Sequence, residues 1–172
     1  MRLIVDLDET VTSFIYELVK RYNNKYNKRK QINSIKEYGL PDDMKEIFLE
    51  SGFFINLMPF PYSTIALRNL QNIGCEIIIA SDCLGIPYIA YEKLVWIKNN
   101  LPFIPIENIM LINKKSLING DVIIDDAPKY IETFNGTTII MDREYNKHVK
   151  ADYRVNRWIQ IEDIIKNLIN KQ

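Results

Sequence analysis

Residues 1–10 read MRLIVDLDET. The apolar run Leu3-Ile4-Val5 stops at two carboxylates one residue apart, Asp6 and Asp8. So short a run is a buried strand or a helix end, and its β-branched residues favour strand. Open α/β sheets bind their ligands at the carboxyl ends of strands. Asp6 and Asp8 are therefore candidate active-site residues, and the rest of the chain can be searched for their partners.

A helical pattern follows, with Phe14, Ile15, Leu18, Val19 and Tyr22 at three- and four-residue spacing. The polar, basic stretch Asn23 to Lys30 reads as a solvated helix end and loop. Glu37 to Leu49 reads as a further short helix, and Pro59 and Pro61 break regular structure. Residues 14–60 are thus expected to form a small helical cap inserted after the first strand. Residues 1–13 and 61–172 would form the core.

Beyond Pro61 helices and apolar runs alternate. Helices are expected over Ser63 to Ile73, Pro87 to Asn100, Ala127 to Phe134 and Ile161 to Ile169. Strands are expected over Glu76 to Ala80, Ile109 to Ile112, Asp121 to Ile124 and Thr137 to Met141. Continuously apolar strands that alternate with helices indicate a Rossmann-like α/β fold, a parallel sheet covered on both faces.

The totals agree with one domain. The chain has 172 residues, 47% hydrophobic, with 22 basic and 22 acidic side chains. A net charge of zero creates no field to gather nucleic acid, and no polymer partner is expected. One histidine and two cysteines, without a CxxC or Cys/His cluster, make zinc improbable. Cys75 and Cys83 flank a strand and read as free thiols of a reducing cytoplasm. No stretch approaches the ~18 apolar residues of a membrane span.

Four of the five expected strands end in groups suited to phosphate chemistry: Asp6/Asp8, Ser81, Lys115 and Asp125/Asp126. In a parallel sheet these ends share one edge. A carboxylate can attack a phosphoryl group and divide hydrolysis into two steps. Magnesium, held by a few carboxylates, would offset the repulsion between the two anions. A hydroxyl (Ser81) and an ammonium (Lys115) can stabilise developing charge. Asp8 can give the leaving group its proton and later activate water. Strand-end solvation or helix capping is the competing account of Asp6/Asp8, an N-cap for the helix from Ala127 that of Asp125/Asp126, another cap that of Ser81, and a solvated loop position that of Lys115, with Lys114 beside it.

In order and context these segments, DLDET, IIIAS, the lysine of NKK and VIIDD, resemble the four motifs of the haloacid dehalogenase (HAD) superfamily of phosphohydrolases. The resemblance implies that Asp6 is the nucleophile and that Asp8 marks an ester hydrolase. It also implies magnesium on Asp6, the Asp8 carbonyl and Asp126, with Asp125 in support. Within the superfamily, GFFINLMPFP, YEKLVWIKNNL, KSLINGDVIIDDAP and Trp158 resemble the 5′(3′)-deoxyribonucleotidases. Those enzymes dephosphorylate deoxyribonucleoside monophosphates, preferring pyrimidines.

That family stacks cap aromatics on the base, and the matching positions are Phe14, Phe53 and Phe54. Flat aromatic faces suit the task, although ordinary cap packing explains these phenylalanines equally well. Two positions depart from the family: Glu9 stands where glycine is usual, and Asp82 puts a charge beside the substrate where a hydroxyl is usual. A phosphatase for another small phosphoester, or a non-catalytic module of the same fold, therefore stays open. So does the oligomeric state, a homodimer among the choices. Trp96 and Trp158 are expected in the core.

Overall fold

The computed structural model describes residues 1–39 and 41–171. Its strands are β1 (Arg2–Val5), β2 (Glu76–Ser81), β3 (Ile109–Leu111), β4 (Val122–Asp125), β5 (Thr137–Met141) and β6 (Tyr153–Val155). Its α-helices are α1 (Phe14–Tyr26), α2 (Lys45–Phe48), α3 (Ser63–Asn72), α4 (Pro87–Asn100), α5 (Pro128–Ile131) and α6 (Trp158–Ile169). The strands form one parallel sheet in the order β3-β2-β1-β4-β5-β6. The α/β reading of the sequence holds.

The sheet is apolar on both faces. Leu3, Val5, Ile77, Ile79, Val122 and Ile124 pack into one core cluster. The residues between them, Ile4, Ile78 and Ile123, pack into the other. This is the period of two expected of a strand, with apolar residues on both sides of the pleat. Each such isoleucine, fully buried, contributes ~1.5–3 kcal/mol. Trp96 and Trp158 are both 1% exposed, within the larger cluster.

Two expectations change. Glu37 to Leu49 is not one helix: a 3-10 turn spans Asp42–Met44, α2 follows, and Glu37 to Gly39 are non-helical. Gly39 has φ +120 and Pro41 has ψ 138, neither of them helical; Leu40 lies outside the described residues. The sheet also gains β6, which pairs with β5.

Residues 14–60 leave and re-enter through adjacent segments. The Ser13 amide donates to the Met58 carbonyl at 2.9 Å, and the Phe60 amide to the Val11 carbonyl at 2.8 Å. The segments on either side of the excursion are thus held together by an isolated antiparallel bridge between Thr12 and Pro59.

Candidate active site

β1 lies between β2 and β4, so the ends of these three strands meet. The Asp6 amide continues the ladder by donating to the Ile124 carbonyl at 2.9 Å. The chain then turns sharply, with the amides of Val11 and Thr12 both donating to the Leu7 carbonyl. Glu9, within this turn, has φ 53. A left-handed position favours glycine, which gives the backbone reason for the glycine expected there by resemblance.

Lys115 is 1% exposed and joins two of the strand ends. Its Nζ lies 2.5 Å from Asp6 Oδ1 and 2.6 Å from Asp125 Oδ2. Lys114 points outward and is exposed. The second Asp125 oxygen accepts the Ala127 amide at 2.8 Å, so both oxygens of this carboxylate are engaged. Asp125 thus holds the lysine and begins the turn into α5.

Asp126 has a different set of partners. Tyr145 donates to its Oδ2 at 2.5 Å and Thr10 to its Oδ1 at 3.3 Å. Burial and the neighbouring charges of Asp125 and Asp6 push its carboxyl well above the usual range. Burial likewise raises Asp125, to about 6, against the pull of Lys115. Carboxylate oxygens of Asp6, Asp125 and Asp126 all lie within 4.8 Å of one another. Among the described residues only Lys115 makes an ion pair with any of the three. One lysine facing three buried carboxylates leaves negative charge that a bound metal ion would offset.

The β2 end contributes Ser81, which is fully buried. A residue that the motif reading passed over, Lys93 of α4, organises this side. Its Nζ donates to Asp8 Oδ2 at 2.5 Å, to Ser81 Oγ at 2.9 Å and to the Asp82 carbonyl. Asp8 Oδ1, also buried, has no hydrogen-bond partner among the described residues. Burial pushes the Asp8 carboxyl up, against the attraction of Lys93. That favours the protonated form a general acid needs.

Above the strand ends lies a cavity of about 350 Å³. Asp6, Asp8 and Asp126 line its floor, Phe14 and Phe54 its cap wall, and Asp82 its side. The Asp82 carboxylate accepts the Leu84 amide at 2.7 Å, so part of its charge is turned into its own loop. Phe53 is fully buried behind this wall and does not line the cavity. It packs edge-on against Phe14 and Phe54 at 5.1 Å between ring centroids and supports them.

The model of the family described as 5′ nucleotidase, deoxy (pyrimidine), cytosolic type C protein (NT5C) matches residues 1–172. The chain belongs to the NT5C family. A 5′(3′)-deoxyribonucleotidase of Clostridium acetobutylicum is 30% identical over 172 residues, 95% of this chain and 94% of the relative. A 5′(3′)-deoxyribonucleotidase of Bacillus subtilis is 27% identical over 165 residues, 93% of this chain and 95% of the relative. Among solved structures, a HAD family hydrolase of Deinococcus radiodurans, with bound phosphate and sodium, superposes with a TM-score of 0.66. It shares 13% identity, over 96% of this chain and 95% of that one, and bears on the fold alone.

Of the residues the motif reading missed, Lys93 and Tyr145 stand out in this NT5C chain. Lys93 had a signal: Glu92 and Lys93 sit side by side in the otherwise apolar run YIAYEKLVWI of a helix that covers the sheet. A charge on such a face needs a buried partner. Tyr145 had none, because it lies in a three-residue 3-10 turn too short to show a periodic pattern. Among the described residues, no helix is long and apolar enough to cross a membrane.

Proposed function

We propose that this NT5C chain is a magnesium-dependent phosphomonoesterase that dephosphorylates deoxyribonucleoside monophosphates, pyrimidine nucleotides first. Asp6 attacks phosphorus and becomes an aspartyl-phosphate, while the nucleoside oxygen leaves with a proton from Asp8. Asp8, now a carboxylate, takes a proton from water; that water attacks the aspartyl-phosphate, and inorganic phosphate leaves with Asp6 regenerated. Lys115 and Ser81 stabilise charge on the phosphoryl oxygens. Lys93 holds Asp8 and Ser81 in a fixed relation. Asp6, Asp126 and the Asp8 carbonyl would hold the magnesium ion, which supplies neutralisation of the phosphate charge when bound.

The observation that carries this reading is the pairing of roles at the floor. Asp6 is held by Lys115, whereas Asp8, two residues on, keeps one buried oxygen without a partner among the described residues. One carboxylate is set up as a nucleophile and the other as an acid. The aromatic wall of Phe14 and Phe54 supports a nucleobase on the leaving group. The thiols of Cys75 and Cys83 are free, which suits a cytoplasmic enzyme.

The test is phosphate release from dUMP and dTMP with and without magnesium, in the parent protein and in Asp6→Asn. Turnover that requires the metal and collapses in the variant is expected. Retention of most of the activity in Asp6→Asn overturns the nucleophile assignment. Much faster turnover of simple sugar phosphates overturns the nucleotide assignment but not the chemistry.

A further inference from the structure

Three side chains of α4 repeat every four residues, Tyr88, Glu92 and Trp96, and so share one face of the helix. Each makes hydrogen bonds to the backbone of the same nine-residue stretch, residues 49–57. Tyr88 donates its hydroxyl to the Leu49 carbonyl at 2.7 Å, and Trp96 its indole N–H to the Leu57 carbonyl at 2.7 Å. Between them the Glu92 carboxylate accepts three amides: Gly52 at 2.5 Å, Phe54 at 2.9 Å and Ile55 at 3.4 Å. Glu92 is 6% exposed and makes no ion pair among the described residues, so backbone amides alone satisfy it.

A buried carboxylate without a cation is costly unless donors surround it. Here the donors belong to the loop that carries Phe53 and Phe54. Gly52 has φ +79, which helps aim its amide at the carboxylate. The next residue along α4 is Lys93, which holds Asp8 and Ser81, and whose Nζ lies 4.8 Å from the centre of the Phe54 ring. One dipeptide therefore grips the phosphate end of the cavity with Lys93 and the aromatic wall with Glu92.

We propose that Glu92 is a positioning residue that fixes the Phe54 wall relative to Asp8, and so sets the size and shape of leaving group the enzyme accepts. Residues 49–57 then belong mechanically to the core although they lie within the excursion that begins at Phe14. The proposal rests on the nucleotide reading for the identity of the leaving group. It does not need that reading for the clamp itself.

The test compares dUMP with 2-deoxyribose 5-phosphate, which has the phosphate and sugar but no base. Glu92→Gln puts an NH2 group among amide donors where an acceptor stood. The ratio of kcat/KM for dUMP over the sugar phosphate is expected to fall about tenfold, mostly through KM for dUMP. A purely structural role would lower both substrates together and leave the ratio alone. A ratio within about twofold of the parent overturns the proposal.

Amide hydrogen exchange gives a second readout that needs no substrate. Residues 52–55 should exchange faster in Glu92→Gln while β1 and β2 keep their protection. Unchanged exchange at 52–55 overturns the clamp. If the parent enzyme treats the two substrates alike, the nucleotide reading fails and the clamp stands or falls on exchange. Should Glu92→Gln not fold, Tyr88→Phe at the exposed end of the stripe is read the same way. A fall of about threefold in the ratio is expected there, and no change in either readout overturns the proposal.

Discussion

Glu9 and Arg143 stand 134 positions apart and form an ion pair, Nε to Oε2, at 2.9 Å. The other Glu9 oxygen accepts the Ile15 amide at 2.6 Å, in the first turn of α1, where Ser13 makes no side-chain cap. Arg143 also donates to the Glu9 carbonyl, and its guanidinium lies 4.6 Å from the centre of the Phe60 ring. The outgoing and returning segments of the 14–60 excursion are thereby tied to the loop after β5. Glu9 thus has a structural task that a glycine in the same turn could not perform.

This arrangement sets two effects against each other, and a pair of variants separates them. Glu9→Ala and Glu9→Gly both lose the ion pair and the bond to Ile15. Only glycine escapes the left-handed backbone conformation at φ 53. Glu9→Gly should therefore be more stable than Glu9→Ala by about 1 kcal/mol, read from urea unfolding midpoints. Both should be less stable than the parent.

Removing Lys115 should damage fold and activity together. Asp6, Asp125 and Asp126 would be left buried with no cation. Lys115→Met is expected to lose phosphatase activity and about 3–5 kcal/mol of stability in metal-free buffer. Magnesium should restore part of the lost stability, which thermal melts with and without the ion can measure.

Lys93→Met tests the other side of the floor. Without its ammonium, Asp8 and Ser81 lose their common anchor and Asp8 can rotate. A small misplacement of a catalytic group costs on the order of 10²-fold in rate. Steady-state assays should show that loss in kcat. The cost in stability should be smaller than for Lys115→Met, because Asp8 is more exposed than Asp125.

The metal-free protein should also respond to pH in an identifiable direction. Burial raises the Asp125 carboxyl to about 6 and Asp126 in the same direction. A carboxyl raised on folding binds more protons in the native than in the unfolded state, so stability falls as pH rises through that interval. After chelation, the urea midpoint should decline between about pH 4 and pH 6. Saturating magnesium should flatten the decline by favouring the ionised groups. A rising midpoint across this interval in metal-free protein would contradict the burial argument.

The sheet was legible because its strands are apolar runs that stop abruptly at polar groups. IVDLD, IIIAS and VIIDD carry both signals at once. β6 carried neither: Tyr153-Arg154-Val155 is three residues long with an arginine in the middle. That arginine serves the loop before it, donating to the carbonyls of Asn146 and Val149. Glu37 to Leu49 has helical spacing, but Gly39 and Pro41 interrupt the backbone. The partners of Lys93, Glu92 and Arg143 were hidden for a shared reason, although the charged pair in an apolar helix marked the first two. Each is a charged residue whose partners lie far along the chain, and charge alone reads as surface. Phe53 and Phe54 are adjacent in sequence and alike in chemistry, yet only Phe54 reaches the cavity. Local pattern cannot distinguish two such neighbours.

The position of β1 bears on how the enzyme comes into being. It is made first, yet its two neighbours in the sheet are β2 and β4. Asp6 emerges from the ribosome 109 residues ahead of Lys115, the side chain that holds it. Until then β1 can join β2 along one edge, but its other edge is open and Asp6 lacks its lysine. Parallel pairing over such separations is slow to nucleate. Catalytic competence should thus arrive in one late step, when residues 115–125 are inserted beside a strand that has waited for them. A chain stalled short of that point would contain most of the enzyme's mass and none of its activity.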